Sequence, residues 1–302
     1  MKFQRIAHVY KNNRVSQYQK HFAILPTPLL LTDRIRIFYA STDDDLNGRV
    51  FSVDVDRDRP TQIIKSNEEI SLDIGRAGCF DQNGVNPLCL VDEGARLILY
   101  YAGYDRSKSV PYTLFSGIAA SDNHGLTFYR LQEEPVLPPR NHERYFRTEI
   151  HVRRAGSKWQ GWYIGGDKWT EHEGKVLPVY SLRFCESYDG LSWGPAHTIL
   201  EPNLIEGEIG FGRPYVVTAR AGGLGMFIIV RTIFGYKQGY MELQADHKWG
   251  PISYNVLSPT RNSWDSESTC YGAPVVVGDK EYLFYNGNGL GRTGFGVAVR
   301  DI

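Results

Sequence analysis

Apolar residues along this chain fall in short runs rather than at helical spacing, and the runs repeat. Each repeat has a small apolar strand, usually entered through Pro, then a turn, then a strand of two apolar residues followed by Tyr or Phe. The copies occupy 26–31 and 35–40, 85–90 and 97–103, 148–152 and 159–166, 212–217 and 225–230, and 272–277 and 281–287. Their starts lie roughly 60 residues apart, room for one four-stranded antiparallel sheet with its loops. Further strands are predicted at 114–120 and 179–184. The last copy ends short of a fourth strand, and residues 3–10 are expected to supply it. The pattern predicts an all-β chain folded as a five-bladed β-propeller of four-stranded antiparallel blades, one domain over 1–302. A β-sandwich has strands as short but gives no reason for the period.

Two turns support the repeat. Residues 121–128 (Ser121, Asp122, Asn123, His124, Gly125) and 187–193 (Ser187, Asp189, Gly190) carry Asp/Asn-Gly turn chemistry, and each ends in an aromatic, Phe128 or Trp193. They resemble degenerate Asp-boxes, and we expect them to be structural, with the aromatic packed between blades.

Composition agrees. Aromatics are 13% of the chain, with 19 Tyr, and the 31 Gly supply turns, a balance that suits strands. Basic and acidic residues balance at 34 each, so no global field draws the chain to nucleic acid or membrane. There is no apolar leader and no run long enough to span a bilayer, so a cytoplasmic protein is expected. Cys79, Cys89, Cys185 and Cys270 show no paired spacing; reduced thiols are expected, without zinc. The glycine-rich stretch from Asn286 to Gly291 sits on a strand with no helix to open, so a dinucleotide loop is rejected, and no cofactor is expected.

The five-copy layout, the Pro-led first strands, the Tyr-Tyr-Ala-Gly at 100–103, the Tyr-Asn-Gly-Asn at 285–288 and the turn at 187–193 together resemble the arabinanase, levansucrase and invertase superfamily of sugar-processing propellers. The segment 284–296 is similar to uncharacterised members attributed to bacterial surface-polysaccharide clusters. The resemblance implies a central funnel in which carboxylates from different blades act on a sugar.

Acids at the starts of first strands are therefore the candidates: Asp81, Glu149, Glu208 (with Glu206 beside it) and Glu267. Glycoside cleavage needs one carboxyl to protonate the leaving oxygen and a second to attack or to activate water. We expect Asp81 and Glu149 as the core pair, with Glu208 third. Any one such acid can equally be a turn cap bonding backbone N–H groups. Substrate contacts are expected from Asn86, Arg147, His151, Arg213, Glu267, Tyr271 and Arg292, although a histidine beside a strand is more often structural. Trp159, Trp162 and Trp169 suit ring stacking, with blade packing favoured for the first two. The arginines suit either an anionic sugar or ion pairs with nearby acids. One departure stands out. The first strand of the first copy carries no carboxylate where hydrolytic relatives place an essential Asp; Asp33 follows it in a turn. The expected function is a glycosidase-like hydrolase or transferase acting on a carbohydrate, with a non-catalytic sugar-binding propeller as the alternative.

Overall fold

The computed structural model describes residues 1–106, 109–220 and 222–302. The chain forms five successive antiparallel units. Strand β1 (Gln4–Tyr10) leads. The first unit is β2 (His21–Leu30), β3 (Arg34–Thr42), β4 (Gly48–Asp56) and β5 (Ile63–Leu72). The second is β6 (Gly84–Asp92), β7 (Leu97–Asp105), β8 (Thr113–Ser121) and the short β9 (Tyr129–Arg130). The third is β10 (Phe146–Ala155), β11 (Lys158–His172), β12 (Lys175–Ser187) and β13 (His197–Leu200). The fourth is β14 (Glu208–Thr218), β15 (Leu224–Thr232) and β16 (Gly235–Glu242), and Ser253 bridges back to Tyr240 at its edge. The fifth is β17 (Cys270–Val277), β18 (Lys280–Asn286) and β19 (Phe295–Asp301). The N-terminal strand joins this last unit: β1 pairs with β19 from Gln4↔Val299 to Tyr10↔Phe295, as its sequence position predicted.

Second strands of the units are buried on both faces, with period-two side chains serving two different cores. In β7, Leu97, Leu99 and Tyr101 pack with Phe38 and Val50 of the first unit, while Ile98, Tyr100 and Ala102 pack with Val152, Trp159 and Trp193 of the third. In β3, Ile35, Ile37 and Tyr39 pack with Phe284 and Phe295 of the fifth unit. Two more cores lie between the third and fourth units and between the fourth and fifth. Each unit thus shares one core with the next, and the fifth shares one with the first.

The first strands are also tied in sequence. Thr27 Oγ1 donates to Pro87 O at 3.3 Å, the Val152 N–H donates to Cys89 Sγ at 3.4 Å, and the Arg213 N–H donates to Glu149 Oε2. Arg213 Nη1 donates to Tyr271 O at 2.6 Å, and Leu25 N donates to Asn286 Oδ1 of the fifth unit at 2.8 Å.

The two turns act as the sequence predicted. Ser187 Oγ bonds Asp189, whose carboxylate accepts the N–H groups of Leu191 and Ser192; these bonds hold its pKa down at about 2. Trp193 packs edge-on to Tyr100 of the preceding unit, and Phe128 to Phe38. A third copy escaped the sequence reading. Asp246 caps the Lys248 N–H, and Trp249 meets Trp162 of the preceding unit at 6.4 Å. Its Asp-to-Trp spacing is one residue shorter than in the turn at 187–193, and it lacks the glycine, which hid it.

Trp159 and Trp162 are core residues, and the half-buried Trp169 makes edge-type ring contacts with Phe146 and Tyr112. The buried thiols of Cys89, Cys185 and Cys270 are pushed up to about 12 by desolvation. Among the described residues no helix is long and apolar enough to cross a membrane.

Candidate active site

A bulge recurs in four first strands. Pairing slips between Ile24 and Thr27, between Thr148 and His151, between Gly212 and Tyr215, and between Cys270 and Ala273. The residue after each first position has positive φ: Leu25 at 59°, Glu149 at 53°, Arg213 at 40° and Tyr271 at 54°. None is glycine, so each stores backbone strain, and strain of this kind concentrates where a side chain must be re-aimed. Asn86 does not share this position. It pairs regularly with Ala102, and its strand slips later, between Pro87 and Cys89.

Three of the four bulge residues line one pocket of about 360 Å³, which draws on all five units: Leu25, Glu149 and Tyr271, joined by Asn86. Its walls are rich in tyrosine, with Tyr104, Tyr112, Tyr180 and Tyr236, and it carries two cations, Arg106 and Arg231. The sequence reading missed these six. Most stand at the ends of second strands or the starts of third ones, just past the apolar-aromatic signature, and that position was the available signal.

Glu149 is the one carboxylate among the pocket's described lining residues. Burial raises its pKa above the ordinary carboxylate range, against the lowering pull of the Arg213 N–H, Arg231 and Arg213. Among the described residues its Oε1 has no hydrogen-bond partner, while Oε2 accepts from the Arg213 backbone. Arg231 lies over the Tyr180 ring at 4.3 Å and donates to Tyr236 Oη at 3.1 Å. The lip is tied across two units: Tyr104 Oη donates to Leu46 O, and Arg106 Nη2 donates to Asp45 O and Asn47 Oδ1, all between 2.8 and 2.9 Å.

Arg213, the fourth bulge residue, turns its guanidinium into the protein. Nη2 donates to Pro26 O and Thr27 Oγ1 at 2.8 Å, so one side chain holds the first, fourth and fifth units together. Burial lowers its pKa to about 10. His151 is buried and tilted against the Tyr215 ring at 4.4 Å. Burial lowers its pKa to about 3, so it is neutral.

The remaining expected site residues are elsewhere. Asp81 is buried outside the pocket, accepting from Tyr101 Oη at 2.9 Å and from Arg130 Nε at 2.8 Å. Arg147 is fully buried against Glu143 at 3.2 Å and donates to Pro138 O. Glu208 starts β14 and accepts the Asn203 N–H, capping the turn that contains the exposed Glu206. Glu267 is exposed on a separate cleft, and Arg292 is exposed at the outer edge of the glycine-rich turn. The structure therefore joins Glu149, Asn86 and Tyr271 and does not join Asp81 or Glu208 to them. No cluster of His, Cys, Asp or Glu among the described residues has the geometry to hold a metal. A groove of about 530 Å³ between the third and fourth units is walled by Trp162, Phe184 and Trp249 and has no carboxylate among its described lining residues.

The fold is similar to that of several solved glycoside hydrolases and of a mannoside phosphorylase. A β-1,2-mannobiose phosphorylase from Listeria innocua, solved with β-1,2-mannobiose, superimposes with a TM-score of 0.74 at 10% identity, covering 100% of this chain and 97% of its own. A glycosyl hydrolase from Bacteroides ovatus gives 0.71 at 12% identity, covering 99% and 93%. In sequence, the chain is 26% identical over 301 residues to an uncharacterised protein of Mycobacterium tuberculosis strain H37Rv, covering 99% of both. No family model matches the chain.

Proposed function

We propose that the protein is a carbohydrate-active enzyme of glycosidase type, built as one five-bladed propeller over 1–302, with Glu149 as the proton donor in an axial pocket. The shared cores from each unit to the next, and from the fifth to the first, support the ring. The observation that carries the reading is the lone carboxylate of Glu149. It stands on a strained bulge in a tyrosine-walled pocket fed by all five units, with its pKa raised. A raised pKa favours the protonated carboxyl, the form that can deliver a proton to a leaving sugar oxygen. Tyrosine rings and hydroxyls suit the apolar faces and hydroxyls of a sugar.

A single pocket carboxylate favours transfer over hydrolysis. Two-carboxylate cleavage needs a partner acid, and none of the pocket's other described lining residues supplies one. If inorganic phosphate is the acceptor, its oxygen attacks the anomeric carbon as the glycosidic C–O bond breaks. The Glu149 proton passes to the leaving oxygen, and Arg106 and Arg231 balance the phosphate charge. The phosphorylase among the structural neighbours acts on a β-1,2-linked mannoside, so β-1,2-mannobiose is the first substrate to try. Incubation with and without phosphate, with products resolved by chromatography, is the test. Sugar phosphate formed only with phosphate, and lost in Glu149→Gln, is the expected result. Free sugar without phosphate means hydrolysis. Binding by calorimetry without product across a panel of glycans would leave a sugar-binding propeller and sink the enzyme.

A further inference from the structure

Beside the pocket lies a second cleft, of about 770 Å³, whose lining is basic. Lys11, Arg14, Lys20, His21 and Arg292 face it, and no carboxylate is among its described lining residues. The chain as a whole is neutral, with 34 basic and 34 acidic residues, so this is a local concentration of charge. The acid that touches the lining is Asp44, 3.4 Å from His21 and well exposed.

The cleft is built by its own contacts. Asn12 Nδ2 donates to Phe22 O at 3.0 Å and to Ser41 Oγ at 2.7 Å, and the Arg14 N–H donates to Asn12 Oδ1 at 2.8 Å. One amide thus fixes the segment that carries Lys11 and Arg14 onto the first unit. The Arg292 guanidinium lies over the Phe22 ring at 5.8 Å, which orients its fork. The cleft adjoins the active-site pocket. Leu46 lines both, and the strand and turn that give the cleft Phe22 and Arg292 give the pocket Ile24 and Leu290.

We propose that this cleft receives an oxyanion carried by the sugar substrate, a phosphoryl or carboxylate group away from the bond being cleaved, so that the enzyme acts on an anionic glycan. Guanidinium forks and ammonium groups are the donors for such oxyanions, and convergent cations raise the local concentration of an anionic ligand. The proposal rests on the reading of the neighbouring pocket as a sugar site, and the test separates the two.

Calorimetry would compare mannose, mannose 6-phosphate, glucuronic acid and inorganic phosphate. Mannose 6-phosphate is expected to bind about tenfold or more tighter than mannose, the gain from one charge-assisted contact. The double variant Arg14→Gln/Arg292→Gln should bring it down to the level of mannose, with an unchanged melting temperature, since both side chains are exposed. In the unaltered protein the gain should shrink as salt rises. The variant Glu149→Gln should keep it, so full turnover in that variant with the gain intact would sink the catalytic reading alone. Equal binding of mannose and mannose 6-phosphate, or a gain untouched by the double variant, would overturn the proposal. Inorganic phosphate binding as tightly as the sugar phosphate, and through the same arginines, would also overturn it, by making the cleft a site for free phosphate.

Discussion

Glu149 and Asp81 are both acids at the mouth of a first strand, yet their surroundings are opposite. Asp81 belongs to a repeated triad. It is held by Tyr101 and Arg130; Asp265 is held by Tyr285 at 2.9 Å and Arg5 at 2.5 Å; Glu143 accepts from Tyr163 at 2.9 Å and pairs with Arg147 at 3.2 Å. In each the tyrosine comes from the second strand of the same unit, and burial and the adjacent carboxylate raise its pKa. Glu149 has no such tyrosine and no arginine side chain bonded to it, only the Arg213 N–H. An acid that recurs by the fold's own repeat and is paired by Tyr and Arg fastens a unit. Glu149, with one oxygen open, is the acid to which the proposed proton transfer is assigned.

The comparison breaks most cleanly on Glu149→Gln. Turnover should fall about 10²- to 10⁴-fold, the range for losing a proton donor, with the melting temperature kept or raised. An active Glu149→Gln enzyme would erase the contrast. Asp81→Ala should do the reverse. Leaving Arg130 unpaired should cost about 3–5 kcal/mol in denaturant unfolding, and kcat of the protein that remains folded should be near normal. A stable Asp81→Ala variant without activity would restore Asp81 to the site. Tyr101→Phe tests the same triad more gently and should cost about 1.5–3 kcal/mol, the worth of a hydrogen bond to a charged group.

A smaller effect is read with pH. Glu149 holds its proton more tightly folded than unfolded, so its contribution is full below the unfolded pKa and is lost as pH rises through the raised folded value. Glu149→Gln should flatten the fall in stability across that window, measured by urea unfolding at a series of pH values. Activity that depends on the protonated acid should decline over the same rise. Smallest is the exposed pair of Lys158 and Glu186 at 2.8 Å, where solvent screens the attraction and Lys158→Ala should leave the urea midpoint essentially unchanged.

Much of the fold was legible. The Φ-Φ-Tyr strands are local patterns, and they recur because every unit needs a second strand apolar on both faces. The first strands and two of the turns were read for the same reason. The N-terminal strand was read from an unfilled place in the last unit. Of the candidate pocket's lining, Glu149, Asn86 and Tyr271 had been singled out by their place in the first strands, whereas Asp81 and Arg147 gave the same local signal and lie in buried ion pairs. Arg106, Arg231 and the wall tyrosines were marked only by their place just past the apolar-aromatic strands, and their residue types did not set them apart from the surrounding aromatics.

By itself, then, the sequence determined that this chain is all-β, repeats five times and places acids where first strands begin, since strand period and turn chemistry act over a few neighbours. Only the tertiary structure decided which acid is open. A carboxylate is neutralised by partners such as Arg130, which lies 49 residues away from Asp81, and a pocket exists only where units distant in the chain converge.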